Sequence, residues 1–114
     1  MTGFELRLWR RGFDWSQERA AEELGISVRS YITYESHEPP RIIALAALAL
    51  EKKVNGRSDT DFLKWRQEHK LTQTNAAKML GVSLRCYIDY EKIKAPYFAC
   101  LAIHALEGAN KFLI

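Results

Sequence analysis

The residues best suited to chemistry in this chain are scattered or repeated, and the repeated ones are the informative ones. Cys86 and Cys100 lie 14 residues apart with no second pair, which argues against a zinc site or a disulfide framework. His37, His69 and His104 share neither a face nor a spacing that would make a ligand set or a catalytic pair. Neither a Ser-His-Asp arrangement, a phosphate-cradling glycine loop nor a paired-carboxylate motif is visible. The sequence therefore predicts no enzyme activity, no metal and no cofactor. What does recur is a run of capping, cationic and aromatic residues. Ser27-x-Arg29-x-Tyr31-Ile32-x-Tyr34-Glu35 returns as Ser83-x-Arg85-x-Tyr87-Ile88-x-Tyr90-Glu91.

That run belongs to a longer duplication. Residues 4–51 fall on residues 60–107 without a gap, and 19 of the 48 pairs are identical. Trp9/Trp65, Arg10/Arg66, Gln17/Gln73, Leu24-Gly25/Leu80-Gly81 and Leu50-Glu51/Leu106-Glu107 are among them. A repeat of this kind decides the architecture before any single motif does. Each copy reads as helices: Leu6, Trp9 and Phe13 recur at helical spacing. Ser16 then caps a second helix carrying Ala20, Ala21 and Leu24. Gly25 stands where a left-handed residue ends that helix, and Ser27 caps a third. Pro39-Pro40 stops the third and starts a fourth, alanine- and leucine-rich, reaching about Lys53. The second copy repeats the plan with Thr72, Gly81, Ser83 and Pro96, and nothing alternates with period two. The expected fold is all-α, with units at 1–53 and 60–107, a connector at 54–59 carrying an Asn-Gly turn signal, and an apolar tail at 108–114. The tail either packs within the chain or mediates self-association.

Composition agrees with a small globular protein. The 114 residues are 47% hydrophobic and 27% charged, with a formal net charge of +3. That length is too short for a large enzyme with a deep cleft, and no apolar run reaches the ~20 residues of a membrane helix. The first residues show no secretory signal, so a reducing, cytoplasmic setting is the simplest expectation. The mild cationic bias permits a nucleic-acid partner without establishing one. Residues 4–51 carry net −2 and residues 60–107 net +2, so phosphate neutralisation falls mainly to the second copy.

A helix ending at glycine, a short turn and a serine-capped helix is the spacing of a helix-turn-helix, whose second helix can enter a major groove. Ser16-Gln17-x-x-Ala20-Ala21-x-x-Leu24-Gly25-Ile26-Ser27 and Thr72-Gln73-x-x-Ala76-Ala77-x-x-Leu80-Gly81-Val82-Ser83 resemble the Cro and phage-repressor (XRE-like) family. The resemblance covers both repeats. It implies two tandem, repressor-like domains of four to five helices that bind double-stranded DNA as a transcriptional regulator of phage or mobile-element type. It also implies structural ion pairs, Arg10 with Glu35 and Arg66 with Glu91.

Residue by residue, Gln17 and Gln73 resemble the family's phosphate- or base-contacting glutamine. Val28, Arg29 and Thr33 take the base-facing places of the first copy, and Leu84, Arg85 and Asp89 those of the second. Arg29 and Arg85 are the expected readers, because a guanidinium fork matches guanine O6 and N7. Ser30 and Cys86 are either phosphate neighbours or small packing residues, and Lys92 and Lys94 supply phosphate contacts. Tyr31, Tyr34, Tyr87 and Tyr90 read as core, and Trp9, Trp15 and Trp65 as core or interface. One chain is expected to act as a pseudo-dimer, its two readers about 34 Å apart in successive grooves, or else to form a homodimer. Glu18, Glu22 and Glu23 make the second helix of the first copy acidic, which suggests instead a face for a protein partner, such as another regulator.

Overall fold

The computed structural model describes residues 1–51, 61–93 and 95–113, with backbone alone for 107–113. The expected connector at 54–59, Lys53 and Lys94 lie outside the described residues. Among those residues the chain is all-helical. The first copy forms α1 (Gly3–Gly12), α2 (Gln17–Leu24), α3 (Val28–Ser36) and α4 (Arg41–Glu51). The second forms α5 (Phe62–Glu68), α6 (Gln73–Leu80), α7 (Leu84–Lys92) and α8 (Tyr97–Leu113). Helix α8 runs on through residues 108–113, which the sequence sets apart as a tail.

The caps sit where the sequence puts them. Side chains of Ser16, Ser27, Thr72 and Ser83 accept from the backbone N–H three residues on, each satisfying an otherwise orphaned donor. Gly25 and Gly81 close α2 and α6 in the left-handed conformation, at φ 76° and 78°. Asp14 and Lys70, also equivalent under the duplication, turn the chain left-handed before α2 and α6 (φ 60° and 54°). Helix α1 begins earlier than α5, with Thr2 and Glu5 forming a reciprocal capping box.

Helices α4 and α8 make the most extensive contact in the molecule. Their buried faces are rich in small residues, among them Ala46, Ala49, Ala99, Ala102 and Ala105, which lets the two backbones approach closely. The buried side chains of both copies consequently form one continuous cluster. Tyr31 and Tyr87 are fully enclosed in it, as their helical spacing predicts, while Tyr34 and Tyr90 are half-buried at its edge. Trp9 Nε1 donates to the Ala47 carbonyl at 3.0 Å, fixing α1 to α4. Among the described residues no helix is long and apolar enough to cross a membrane.

Candidate nucleic-acid interface

Each copy builds the same clamp beneath its third helix. Arg10 Nε donates to Glu35 Oε2 at 2.6 Å, and Arg66 Nε to Glu91 Oε2 at 2.6 Å. A second guanidinium nitrogen donates to the carbonyl of Trp15 (3.0 Å) or Leu71 (3.1 Å), so each arginine ties α1 or α5 to the turn entering the next helix. Gln17 Nε2 donates to Glu35 Oε1 at 3.1 Å, and Gln73 Nε2 to Glu91 Oε1 at 3.1 Å. The expected ion pairs are therefore present. The two glutamines, read from the sequence as phosphate or base contacts, spend one N–H on holding the clamp together.

The electrostatics follow from this geometry. Burial pushes the Glu35 and Glu91 carboxyls up, but the bonds from arginine and glutamine outweigh it and hold both below the ordinary glutamate value. Both carboxylates thus stay charged. Burial, aided by the adjacent carboxylates, pushes the Tyr31 and Tyr87 phenols up and keeps them neutral.

The clamp fixes the roll of α3 and α7, and with it which side chains face solvent. Arg29 and Thr33 are exposed on α3; Arg85, Cys86, Asp89 and Lys92 are exposed on α7. Thr33 Oγ1 donates back to the Arg29 carbonyl at 3.0 Å. Val28 is half-buried and packs on the core, whereas its equivalent Leu84 remains 43% exposed. Ser30 is half-buried and accepts a 3.0 Å hydrogen bond from the Ser27 hydroxyl, so it serves the helix cap. The structure thus brings Arg29 with Thr33, and Arg85 with Asp89 and Lys92, onto the outer face of one helix each.

The two copies face each other across a cleft of about 440 Å³. Gly25, Ile26 and Ser27 form part of its wall, as do Gly81 and Val82, with Tyr34 and Tyr90 from α3 and α7. The turns of both copies thus stand side by side at the wall of one cleft. The cause is the α4–α8 pairing, which draws the two turns together over a shared core.

Sequence reasoning also missed the cross-repeat contacts that set this geometry. Arg41, the first residue of α4, donates from Nε to the Met79 carbonyl at 2.7 Å. A Cβ on Gly81 would lie 2.5 Å from Arg41 Cβ, and one on Gly25 3.1 Å from Tyr97 Cβ. Arg41 and Tyr97 are equivalent under the duplication, so each glycine turn receives the start of the other copy's fourth helix. Only Pro40 and Pro96 mark the place in sequence, because the contacting residues differ in type.

Among the described residues no cluster of three or more His, Cys, Asp or Glu could hold a metal ion. Comparison with known proteins returns no match, whether to family models, curated proteins or solved structures.

Proposed function

We propose that this chain is a sequence-specific double-stranded DNA-binding regulator, built from two tandem helix-turn-helix units of the XRE-like type. The observation that carries the reading is the twinned outer face of α3 and α7. In both, a serine-capped helix follows a left-handed glycine, and an exposed arginine stands two residues after the serine. The Arg–Glu–Gln clamp supports the reading physically, since a helix that reads base edges must be held at a fixed roll. Arg29 and Arg85 supply bidentate donors for guanine; Thr33, Asp89 and Leu84 tune the neighbouring positions, and Lys92 adds phosphate charge. Regulation would work by occupancy of a promoter, in a cytoplasmic setting.

Because the two turns share one cleft, the spacing of the half-sites that one chain addresses follows from the α4–α8 pairing. Selection of bound sites from a random duplex pool tests the reading. A recovered consensus with salt-dependent binding supports it, and the absence of any duplex binding at low salt sinks it. One observation favours a second reading. Glu18 and Glu22 are exposed on α2 and would repel phosphate, so in this reading α2 grips a protein partner, another regulator that the chain antagonises. Co-purification of a protein with no duplex shift would select that reading.

A further inference from the structure

Helix α1 exposes apolar residues at positions where the second copy has polar ones, the exposed Leu63 of α5 standing instead where α1 has Arg7. Phe4 is 64% exposed and Leu8 51% exposed, with Met1 beside them. The equivalent positions of Phe4, Leu8 and Arg11 in the second copy are Thr60, Lys64 and Gln67. A duplicated scaffold that keeps solvent-compatible residues in one copy and large apolar ones in the other has a contact to make with the second set.

The shape beside that edge says what the contact is. Phe4 and Arg11 are seven residues apart, two helical turns, and so stand on one edge of α1. Against the opposite edge lies a groove formed by two adjoining cavities of about 280 and 360 Å³, both lined by Leu8, Trp9 and Glu51. Both are open to solvent along α1, so a phenyl ring of a neighbouring chain can lie against Leu8 and Trp9 there. The ion pairs among the described residues engage Arg7, Arg10, Arg19 and Arg66, and neither Arg11 nor Glu51. Phe4 and Arg11 on one side thus complement the groove and a carboxylate on the other.

We infer that α1 is a homodimer interface, in which Phe4 of each chain fills the groove of a second copy and Arg11 pairs with that copy's Glu51. A two-fold axis running alongside the paired α1 helices places each Phe4–Arg11 edge against the other's groove, with the two Leu8 side chains in contact at the seam. Such a self-complementary patch closes after two copies and does not propagate. Helix α1 is only 10 residues long, so the interface is small and the dimer is of modest affinity. The inference is independent of DNA binding.

The test is sedimentation equilibrium of the full chain, without DNA, from roughly 1 μM to 1 mM, a range that spans weak to moderate association. The expected result is a rise from 13.2 kDa toward twice that mass. Leu8→Lys and Phe4→Thr, each installing the second copy's residue, should weaken the dimer by about tenfold or more while leaving the helical circular-dichroism signal unchanged. Arg11→Glu and Glu51→Arg should each weaken it, and the double variant should recover it. A chain that stays monomeric throughout overturns the inference. So does a dimer indifferent to Leu8→Lys, which would place the contact elsewhere, or a double charge swap with no recovery.

Discussion

The two halves of this molecule share an interior and differ in surface. The Arg10–Glu35–Gln17 and Arg66–Glu91–Gln73 clamps agree in donor, acceptor and distance, although the flanking helices differ in length. Identity between the copies concentrates at caps, clamp, left-handed glycines and buried alanines. Divergence falls on α1, where Leu8 faces Lys64, on α2, where Glu22 faces Lys78, and on the outer face of α3, where Thr33 faces Asp89. Physical constraint explains the division. Buried hydrogen-bonded charges and close-packed turns tolerate little change, whereas exposed positions are free to diverge in what they bind.

The largest effects should come from the glycine turns, each of which meets the other copy's fourth helix. Gly81 and Gly25 carry the same left-handed backbone penalty of about 1–2 kcal/mol for any other residue. Gly81→Ala would also press a methyl against Arg41 Cβ, an atom near the backbone that cannot swing away. We expect about 3–4 kcal/mol lost for Gly81→Ala and about 1–2 kcal/mol for Gly25→Ala. Urea unfolding of both variants checks this, and equal losses would show that the closer approach of Arg41 to Gly81 adds nothing beyond the contact Tyr97 makes at Gly25.

Next in size is the clamp. Glu35 is the better buried carboxylate, 2% exposed against 9% for Glu91, and Arg7 lies 3.8 Å away as a second cation. Glu35→Gln should cost about 3 kcal/mol and Glu91→Gln about 2 kcal/mol, since each strands a partly buried arginine. Both carboxyls are held below their ordinary value of about 4.5, so the unfolded chain binds more protons below that pH. Their stabilisation is complete above about pH 4.5 and is lost as pH falls through the lower folded values. The wild-type chain should therefore lose stability in acid more steeply than Glu35→Gln, as acid unfolding monitored by tryptophan fluorescence would show.

Much of this was legible in the residues, for local reasons. Ser16, Ser27, Thr72 and Ser83 are good caps because a short hydroxyl reaches the third N–H, and glycine tolerates φ > 0 as few residues do. The arginine–glutamate pairs came from family resemblance and were met in the geometry. What escaped the sequence was relational. Asp14 and Lys70 adopt left-handed backbone although neither residue type demands it. The pairing of α4 with α8 depends on alanine-lined surfaces meeting, and their apolar pattern equally suits burial within each copy. That pairing brings the two glycine turns to one cleft, a relation that no local signal in the residues announces.

Under the proposed function, the arginines should separate the halves by a smaller margin. Arg85 belongs to the copy with net +2, and Arg29 to the copy with net −2. Arg85→Ala should cost about 1–3 kcal/mol on the selected site and relax preference at one base pair. Arg29→Ala should cost less. Anisotropy titrations on selected and random duplexes distinguish base reading from phosphate contact, and a greater loss from Arg29→Ala would reverse the ranking of the halves.

The smallest expected effect is the most direct exchange between them. Glu22 and Lys78 are equivalent, both exposed, on helices α2 and α6 of equal length, each with a hydroxyl N-cap (Ser16 or Thr72) and a glycine C-cap. Under the proposed function α2 and α6 are the first helices of helix-turn-helix units and cross the phosphate backbone, so a charge on them is felt by any duplex regardless of sequence. Glu22→Lys replaces repulsion with attraction and makes the α2 charge resemble that of α6. Folding stability should change by less than about 0.5 kcal/mol, because the residue is exposed and takes part in no ion pair among the described residues. Affinity for random duplex should rise by a few-fold, with the salt dependence steeper by about one phosphate's worth. Lys78→Glu should do the reverse. If Glu22→Lys left duplex affinity and salt slope untouched while Lys78→Glu lowered both, α2 would lie away from DNA. Its acidic face would then be free for the protein partner of the second reading.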